Sequence, residues 1–496
     1  MKSSCLSVKA GNKTHPVMSY FLAVIFGIVL GVIALLAGGL RLHQLLILLA
    51  IGATSVFILA THQLRLVLLA LLVLTIPINV FSIVPFSQIL PYNPSGAPPV
   101  LQIRLFDFPL FALLALTMLQ LLTGKKPFRF CAIDFAALLM ITWGIVTTYN
   151  AMRPEFSASE LLREFKLYVL ARLVVTNIQD ERDLRIVIRI LLAGAILQGL
   201  ISLSQYTTNS NFGLGMFTVG ELRRVTGTLG WPNTLGAYAA VTFLLGLVSW
   251  LNFGGGKWIW IACTASFMLL ILSYSRGAWT ATGVGLVLGV LLFWKARLFE
   301  SRVLTRAITP ILGAAILLIG FHNSIIARVG NRSEGIDAIA TRMDLNQIAT
   351  NMINAQPFLG VGLNNYMQVM SEYDTTGISF NIHEPVHNVF FLIGAETGLI
   401  GLALFMLLVS LVLLACWRVL NQNSHFLQIH AIGLSCAITA LVISNMADVH
   451  LKTDGLFAFF WFLIGLILTI QKLSEEQAQD VNQLPETAQK FVLKWG

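Results

Sequence analysis

Two histidines and a handful of arginines are the residues here whose chemistry exceeds what packing requires. His383 and His387 stand in His-Glu-Pro-Val-His, where a long polar stretch runs into a hydrophobic span that begins within Asn381–Gly401. An imidazole titrates near neutral pH and can accept or deliver a proton. The pentapeptide also fits His-Glu-x-x-His, which holds zinc when both histidines share a helix face. Pro385 opposes that geometry, because proline favours the first helical turn and pushes the residue before it out of the helical region. A helix is therefore predicted to begin near Pro385. His383 then lies outside it, and His387 sits in its first turn, facing a cavity beside Asn388. Base and phosphate ligand are both open roles for His387.

Arg223 and Arg224 lie in Arg-Arg-Val-Thr-Gly-Thr-Leu-Gly-Trp-Pro-Asn, just before a hydrophobic span, and Arg276 lies in the short turn Ser275-Arg276-Gly277 between two further spans. A single arginine at such an edge can snorkel to lipid headgroups. Arginines at two separate helix ends on one face point instead to an anionic substrate, since the guanidinium fork binds phosphate bidentately and keeps its charge. Asn233 reads as a helix N-cap. Glu160, Arg163 and Glu164 share a helix face and read as self-neutralising interfacial pairs. Asp454 is the one candidate for a third zinc ligand. No Asp-x-Asp pair marks a divalent-metal site on the arginine-bearing face, and Gly254-Gly-Gly-Lys257 lacks the spacing of a phosphate-binding loop.

The elements that must position these groups are membrane helices. Of 496 residues, 56% are hydrophobic and 11% charged, and the mean hydropathy is +0.79. Stretches long enough to cross ~30 Å of hydrocarbon recur along nearly the whole chain. They predict an all-α polytopic transmembrane bundle of 12 to 14 helices with one large extracytoplasmic loop of short helices. Fourteen are assigned, at Val17–Ala37, Leu42–Ala60, Leu66–Val84, Phe106–Leu122, Cys131–Tyr149, Glu160–Ile178, Ile186–Tyr206, Thr234–Leu251, Trp258–Tyr274, Ala278–Trp294, Ala307–Phe321, Thr397–Trp417, Ile429–Ala447 and Leu456–Ile470. Lys125, Lys126, Arg129, Arg182, Arg185, Arg189, Lys295, Arg297, Arg302 and Arg306 then fall on the cytoplasmic side, as positive loops should. Five cysteines, none in the long polar segment, indicate no disulfide framework.

These spans divide the chain into N-terminal helices over 1–150, central helices with the arginine motifs over 151–321, an extracytoplasmic segment over 322–386, C-terminal helices over 387–471 and a cytoplasmic tail over 472–496. Within Gly335–Asn354, Ile336, Ile339, Met343, Ile348 and Met352 recur at near-helical spacing, which predicts amphipathic helices lying on the membrane. The glycines at Gly27–Gly31 and Gly394–Gly398 have the spacing of close helix packing.

Four pieces of the chain resemble, in order, the bacterial O-antigen ligase and O-antigen polymerase superfamily of polytopic glycosyltransferases. They are Arg224-Val-Thr-Gly-Thr-Leu-Gly-Trp-Pro-Asn233, Ser273-Tyr-Ser-Arg-Gly-Ala-Trp279, Arg342 followed by Pro357-Phe-Leu-Gly-Val-Gly-Leu-Asn-Asn-Tyr366, and His387-Asn-Val-Phe-Phe-Leu-Ile-Gly-Ala-Glu-Thr-Gly398, within residues 150–450. The chain departs from the family in carrying more predicted helices and in Trp231, where Asn is common before Pro-Asn. The resemblance implies transfer of a glycan from an undecaprenyl-pyrophosphate donor to an acceptor hydroxyl of lipid A-core or a growing polysaccharide. The reaction would be inverting, need no metal or other cofactor, and occur at the outer face of a bacterial cytoplasmic membrane. Arg224 and Arg276 would hold the pyrophosphate, with Arg223, Arg342 and Asn388 in the same binding site, and His387 would serve as base. Partners are then the lipid-linked glycan, a glycan or glycolipid acceptor and membrane lipids, with no nucleic acid. An anion transporter of bicarbonate type is the alternative, for which paired broken helices and midplane charges are the mark; an intramembrane zinc protease is a third.

The charge distribution makes the orientation testable. A cysteine placed at Ser333 should react with an impermeant maleimide added outside the cytoplasmic membrane, and labelling from the cytoplasmic side alone would invert the assignment.

Overall fold

The computed structural model describes residues 63–79, 82–83, 102–122, 130–210, 214, 216–219, 222–253, 256–330, 332–380, 382, 384–422 and 424–482. The chain divides into two compact units, 1–68 and 69–496. Only 63–68 of the first are described, and the architecture is that of the second. The expected helices Val17–Ala37 and Leu42–Ala60, the Gly27–Gly31 pair and His383 lie outside the described residues.

The order of elements is α1 (Leu64–Thr75), β1 (Ser82–Ile83), β2 (Ile103–Arg104), α2 (Asp107–Leu122), α3 (Ala132–Thr147), α4 (Pro154–Asn177), α5 (Glu181–Thr208), β3 (Met216–Val219), β4 (Leu222–Val225), α6 (Pro232–Phe253), α7 (Lys257–Leu272), α8 (Arg276–Lys295), α9 (Ser301–Gly320), α10 (His322–Gly330), α11 (Arg332–Ala355), α12 (Tyr366–Val369), α13 (Val389–Val419), α14 (His425–Ser444) and α15 (Asp454–Asn482). The fold is all-α, with two short antiparallel ribbons, β1–β2 and β3–β4. Among the described residues, eight helices are long and apolar enough to cross a membrane, and α1, α2 and α7 are shorter apolar helices. Helices suit that setting because each satisfies its own backbone polar groups where water is absent. The chain is a multi-pass membrane protein.

Several boundaries differ from expectation for local reasons. The helix expected over Leu66–Val84 ends at Thr75, since Pro77 disfavours helix in the residue before it. α4 starts at Pro154 rather than Glu160, with proline at the position where its missing N–H costs nothing. It is also not among the eight long apolar helices. α13 starts at Val389 rather than near Pro385, because the Asn388 side chain caps it, accepting from the Phe390 amide at 2.9 Å and the Phe391 amide at 3.3 Å. His387 therefore sits in the loop before the helix, not in its first turn.

α15 is the centre of the bundle, with 89% of its most apolar window buried, against 6% for the peripheral α9. Close contact between α4 and α15 depends on Gly465, where a Cβ would come within 2.8 Å of the Ala171 carbonyl oxygen. α13 is broken at Gly398, whose φ of 69° and ψ of 178° are not helical. The loop 357–362 closes the break: Leu399 donates to Pro357 O at 2.8 Å, while Val361 and Gly362 donate to Ala395 O and Glu396 O at 2.8 and 3.0 Å. Gly398 is thus a helix break locked by a loop, while Gly394 keeps close helix packing, since a Cβ there would come within 3.1 Å of the Ile353 side chain of α11.

The segment before α13 builds its own core on this half-helix. Leu345, Ile348, Ala349 and Met352 of α11 pack with Val361, Tyr366, Val369, Met370, Val386, Leu392 and Ala395. Ile348 and Met352 therefore turn into protein, whereas Ile339 and Met343 stay exposed. The amphipathic pattern marks a docking face for α13, not only a membrane face.

A Cβ at Gly398 would lie 2.0 Å from the Phe358 carbonyl oxygen, in a backbone region that only glycine adopts cheaply. Gly398→Ala should lower stability by about 3 kcal/mol or more and depress the thermal transition in detergent. Gly313→Ala, with nothing within 4 Å of its Cβ, should leave it in place. Equal transitions for the two variants would count against the interlock.

Candidate functional site

The β3–β4 ribbon decides which arginine enters the bundle. Phe217 pairs with Arg224 and Thr218 with Arg223, and successive residues of a strand face opposite ways. Arg224 is buried and Arg223 is exposed, so of the two adjacent arginines only Arg224 turns inward. Its Nε donates to Ser273 O at 2.9 Å and its Nη2 to Asn233 Oδ1 at 2.5 Å. Asn233 is not the N-cap of α6, which begins one residue earlier at Pro232. Its side chain faces the arginine instead.

Ser273 ends α7, Tyr274 turns the chain at φ 49°, and Ser275 caps α8, of which Arg276 is the first residue. The turn that anchors Arg224 thus also presents Arg276. Arg328 of α10 donates from Nε to Tyr274 O at 3.3 Å. Burial above all, then the charges of Arg328, Arg276 and Arg342, lowers the Arg224 pKa to about 10 against the opposing pull of Asp448. Four guanidinium groups from four elements are therefore gathered at one place. The side chains of Arg276 and Arg342 make no hydrogen bond among the described residues.

His387 is held from both sides. Its Nδ1 lies 3.3 Å from Asp448 Oδ1 and its Nε2 3.1 Å from Glu384 Oε2. Asp448 is fixed in turn, accepting from Asn233 Nδ2 at 2.7 Å and from the Val449 amide at 2.8 Å. A continuous line of polar contacts runs Arg224–Asn233–Asp448–His387–Glu384. The hydrogen bonds to Asp448 and Glu384 outweigh burial and push His387 up to about 9. Burial would raise the Asp448 carboxyl, but His450, His387 and the Val449 amide hold it well below the usual carboxylate range. The oxygen of Asn388 is given to the helix cap, so its place beside His387 is structural.

A second charged cluster lies behind this line. Arg163 pairs with Glu160 and, at 3.1 Å, with Asp454, which also accepts from Arg104 at 2.6 Å. Lys452 pairs with Glu396 at 2.9 Å and stands 3.8 Å from Glu160. The Glu160–Arg163 pair is thus buried between helices rather than interfacial, and Asp454 is committed to two arginines. Glu160, Glu164, Glu396 and Lys452, with Trp143, Phe457 and Trp461, line a cavity of about 70 Å³ between α3, α4, α13 and α15. No three His, Cys, Asp or Glu side chains among the described residues are grouped to hold a metal.

Sequence reasoning missed Arg328, Asp448 and Glu384 as site groups. Arg328 carried the same signal as Arg276, an arginine in a stretch that the charge count assigns to the extracytoplasmic side, where positive charge is expected to be scarce. Asp448 carried a different one: Asp448, His450, Lys452 and Asp454 put an ionisable residue at every second position of a short stretch between two hydrophobic helices.

Residues 261–406 match the family model described as O-antigen ligase. The match supports a place in the O-antigen ligase and polymerase superfamily. No curated protein matches the chain. Arg276, Arg328, Arg342, Glu384 and His387 fall inside the matched span, while Arg224, Asn233 and Asp448 lie outside it in the chain and join the same line of polar contacts. The match supports enzymatic glycan transfer in O-antigen biosynthesis in general terms, and it implies a lipid-linked glycan and a polysaccharide or lipid A acceptor as the general kind of partner.

The state of His387 has a thermodynamic signature. A histidine whose pKa is raised on folding stabilises fully below its ordinary 6.5, and that stability is lost as pH rises through about 9. Thermal stability should therefore fall between pH 6.5 and about 9 more steeply in the unaltered protein than in His387→Gln. Parallel profiles would mean the imidazole is not held by its two carboxylates.

Proposed function

We propose that the chain transfers a glycan from an undecaprenyl-pyrophosphate donor to a hydroxyl of lipid A-core or of a growing polysaccharide, by inversion and without a metal. The site would work at the extracytoplasmic face, with 322–386 as the extracytoplasmic segment that contributes Arg328 and Arg342. The observation that carries this reading is the unbroken line from the arginine cluster through Asn233 and Asp448 to His387. It joins a place for a polyanion to a place for a base.

Positive charge at Arg224, Arg276, Arg328 and Arg342 exceeds what Asp448 compensates, and gathered guanidinium groups of this kind favour a ligand with several negative charges. A pyrophosphate has that charge, and its leaving oxygen gains more as the sugar–oxygen bond breaks. Guanidinium groups already fixed in a low-dielectric site stabilise that charge without rearranging. On the acceptor side, Asp448 orients the ring, so that neutral His387 donates from Nδ1 and presents the Nε2 lone pair. The acceptor hydroxyl gives its proton to Nε2 as its oxygen bonds to the anomeric carbon, and the bond from that carbon to the phosphate oxygen breaks. One displacement inverts the centre.

The transporter reading draws less support. The break in α13 is filled by the backbone of 357–362, and the carbonyls it frees are taken by Val361 and Gly362, which leaves them no ion to coordinate. Glu160, Arg163, Glu396, Lys452 and Asp454 are paired with one another.

Transfer by the purified protein in liposomes tests the roles separately. Arg276→Lys should lower transfer by something like 10²-fold, because a point charge does not reproduce the planar fork. Arg328→Ala should weaken donor binding. His387→Ala should lower transfer by something like 10² to 10⁴ while donor affinity changes little. Undiminished transfer by His387→Ala would remove it from the mechanism, and a matching loss of donor affinity would make it a phosphate ligand instead.

A further inference from the structure

The two nitrogens of His387 are held by very different carboxylates. Asp448, on the Nδ1 side, has a side chain only 17% exposed and is pinned by Asn233 and the Val449 amide. Glu384, on the Nε2 side, is 58% exposed, lies three residues back in the same loop, and has His387 as its one hydrogen-bond partner among the described residues. One partner is part of the scaffold. The other can leave without uncovering a buried charge.

An acceptor hydroxyl that gives its proton to Nε2 must place its oxygen about 3 Å from that nitrogen. The Glu384 carboxylate occupies that position, at 3.1 Å. We propose that Glu384 is a latch on the proton-accepting nitrogen of His387, docked when no acceptor is bound and displaced by the acceptor hydroxyl at each transfer. The inference rests on the reading of His387 as the base.

The latch decides the protonation state as well as access. The ionisable groups that act on the ring are Glu384 from its own loop and Asp448 and His450 from the segment after α14. With both carboxylates in place the ring carries two protons at neutral pH, its pKa pushed up to about 9. When Glu384 leaves, one of the two stabilising contacts is gone, the pKa falls, and the Nε2 proton passes to water. The neutral ring then takes the hydroxyl proton as the new glycosidic bond forms and the phosphate leaves. This restores the imidazolium, on which Glu384 docks again. One proton is released per transfer, and no redox step occurs. A base masked in this way does not activate water while a donor waits alone, so the latch guards the lipid-linked glycan against hydrolysis.

The test uses the full chain in liposomes with undecaprenyl-pyrophosphate-linked glycan extracted from the cells that carry it, with and without acceptor. Glu384→Gln removes the charge and keeps the shape. The acid limb of its transfer profile should move down by about one pH unit, which is about 10-fold in rate at a fixed pH on that limb. Donor hydrolysis without acceptor should rise by a similar factor. His387→Ala, measured beside it, should lose both reactions. If Glu384→Gln keeps the original acid limb and hydrolysis rate while His387→Ala still loses transfer, the latch is wrong and the base stands. If Glu384→Gln loses transfer with its acid limb unmoved, Glu384 is required for the chemistry and is no latch. If His387→Ala transfers normally, the reading beneath both falls.

Discussion

Pairing of buried polar and charged groups by alternate residues of one short strap, Asp448 to Asp454, holds the site together. Every second residue of this strap reaches a different element. Asp448 meets Asn233 of α6 and the His387 loop, His450 meets Ser444 of α14 at 3.0 Å, Lys452 meets Glu396 of α13 and Asn364 of the preceding loop, and Asp454 meets Arg163 of α4 and Arg104 of β2. Each buried ion left without its partner would cost about 3 to 5 kcal/mol, so these elements are tied to one arrangement. Asp448, which holds the His387 ring on its Nδ1 side, belongs to the same strap that fastens the helices behind it.

The broken α13 supplies the second fixed point. Its first half carries the Asn388 cap at one end and Glu396 near the other, where Glu396 meets Lys452 of the strap. Gly360 and Gly398 let two backbones approach within the space a side chain would need: a Cβ on Gly360 would lie 2.5 Å from the Glu396 carbonyl carbon. The loop with Pro357-Phe-Leu-Gly-Val-Gly and the helix with Ala-Glu-Thr-Gly thus form one interlocked unit. Motifs that stand apart in the chain are two halves of a single joint, from which the loop before Val389 emerges.

Preorganisation arises from these two constraints. The guanidinium groups arrive on a ribbon, a helix N-terminus and two helices of the 322–386 segment, and Arg224 and Arg328 are both tied to the turn that presents Arg276. Burial first, and then the repulsion of the other three arginines, lowers the pKa of Arg224. A site that keeps like charges together before its ligand arrives has little left to rearrange when negative charge develops on a leaving group.

Membrane residence was legible in a composition of 56% hydrophobic and 11% charged residues, and an all-α bundle in the long unbroken apolar runs, which satisfy their backbone in hydrocarbon as helices. Arg224, Arg276 and His387 were legible too, since ionisable groups at the ends of apolar spans stand out against their surroundings. Their neighbours were not. Whether Arg223 or Arg224 turns inward depends on the register of a short ribbon, and a shift of one residue would exchange them. Asn233 carried the residue type of a cap and Asn388 the type of a ligand, yet the first bridges Arg224 to Asp448 and the second caps α13. Position along the chain does not say which donor a side-chain oxygen will meet. Asp448 lies 61 residues from His387 and 215 from Asn233, and only the packing of α6, α13 and α14 brings the three within hydrogen-bond distance. Local patterns specify helices and their polar ends; the distances between those ends are set by tertiary contacts that no window of sequence contains.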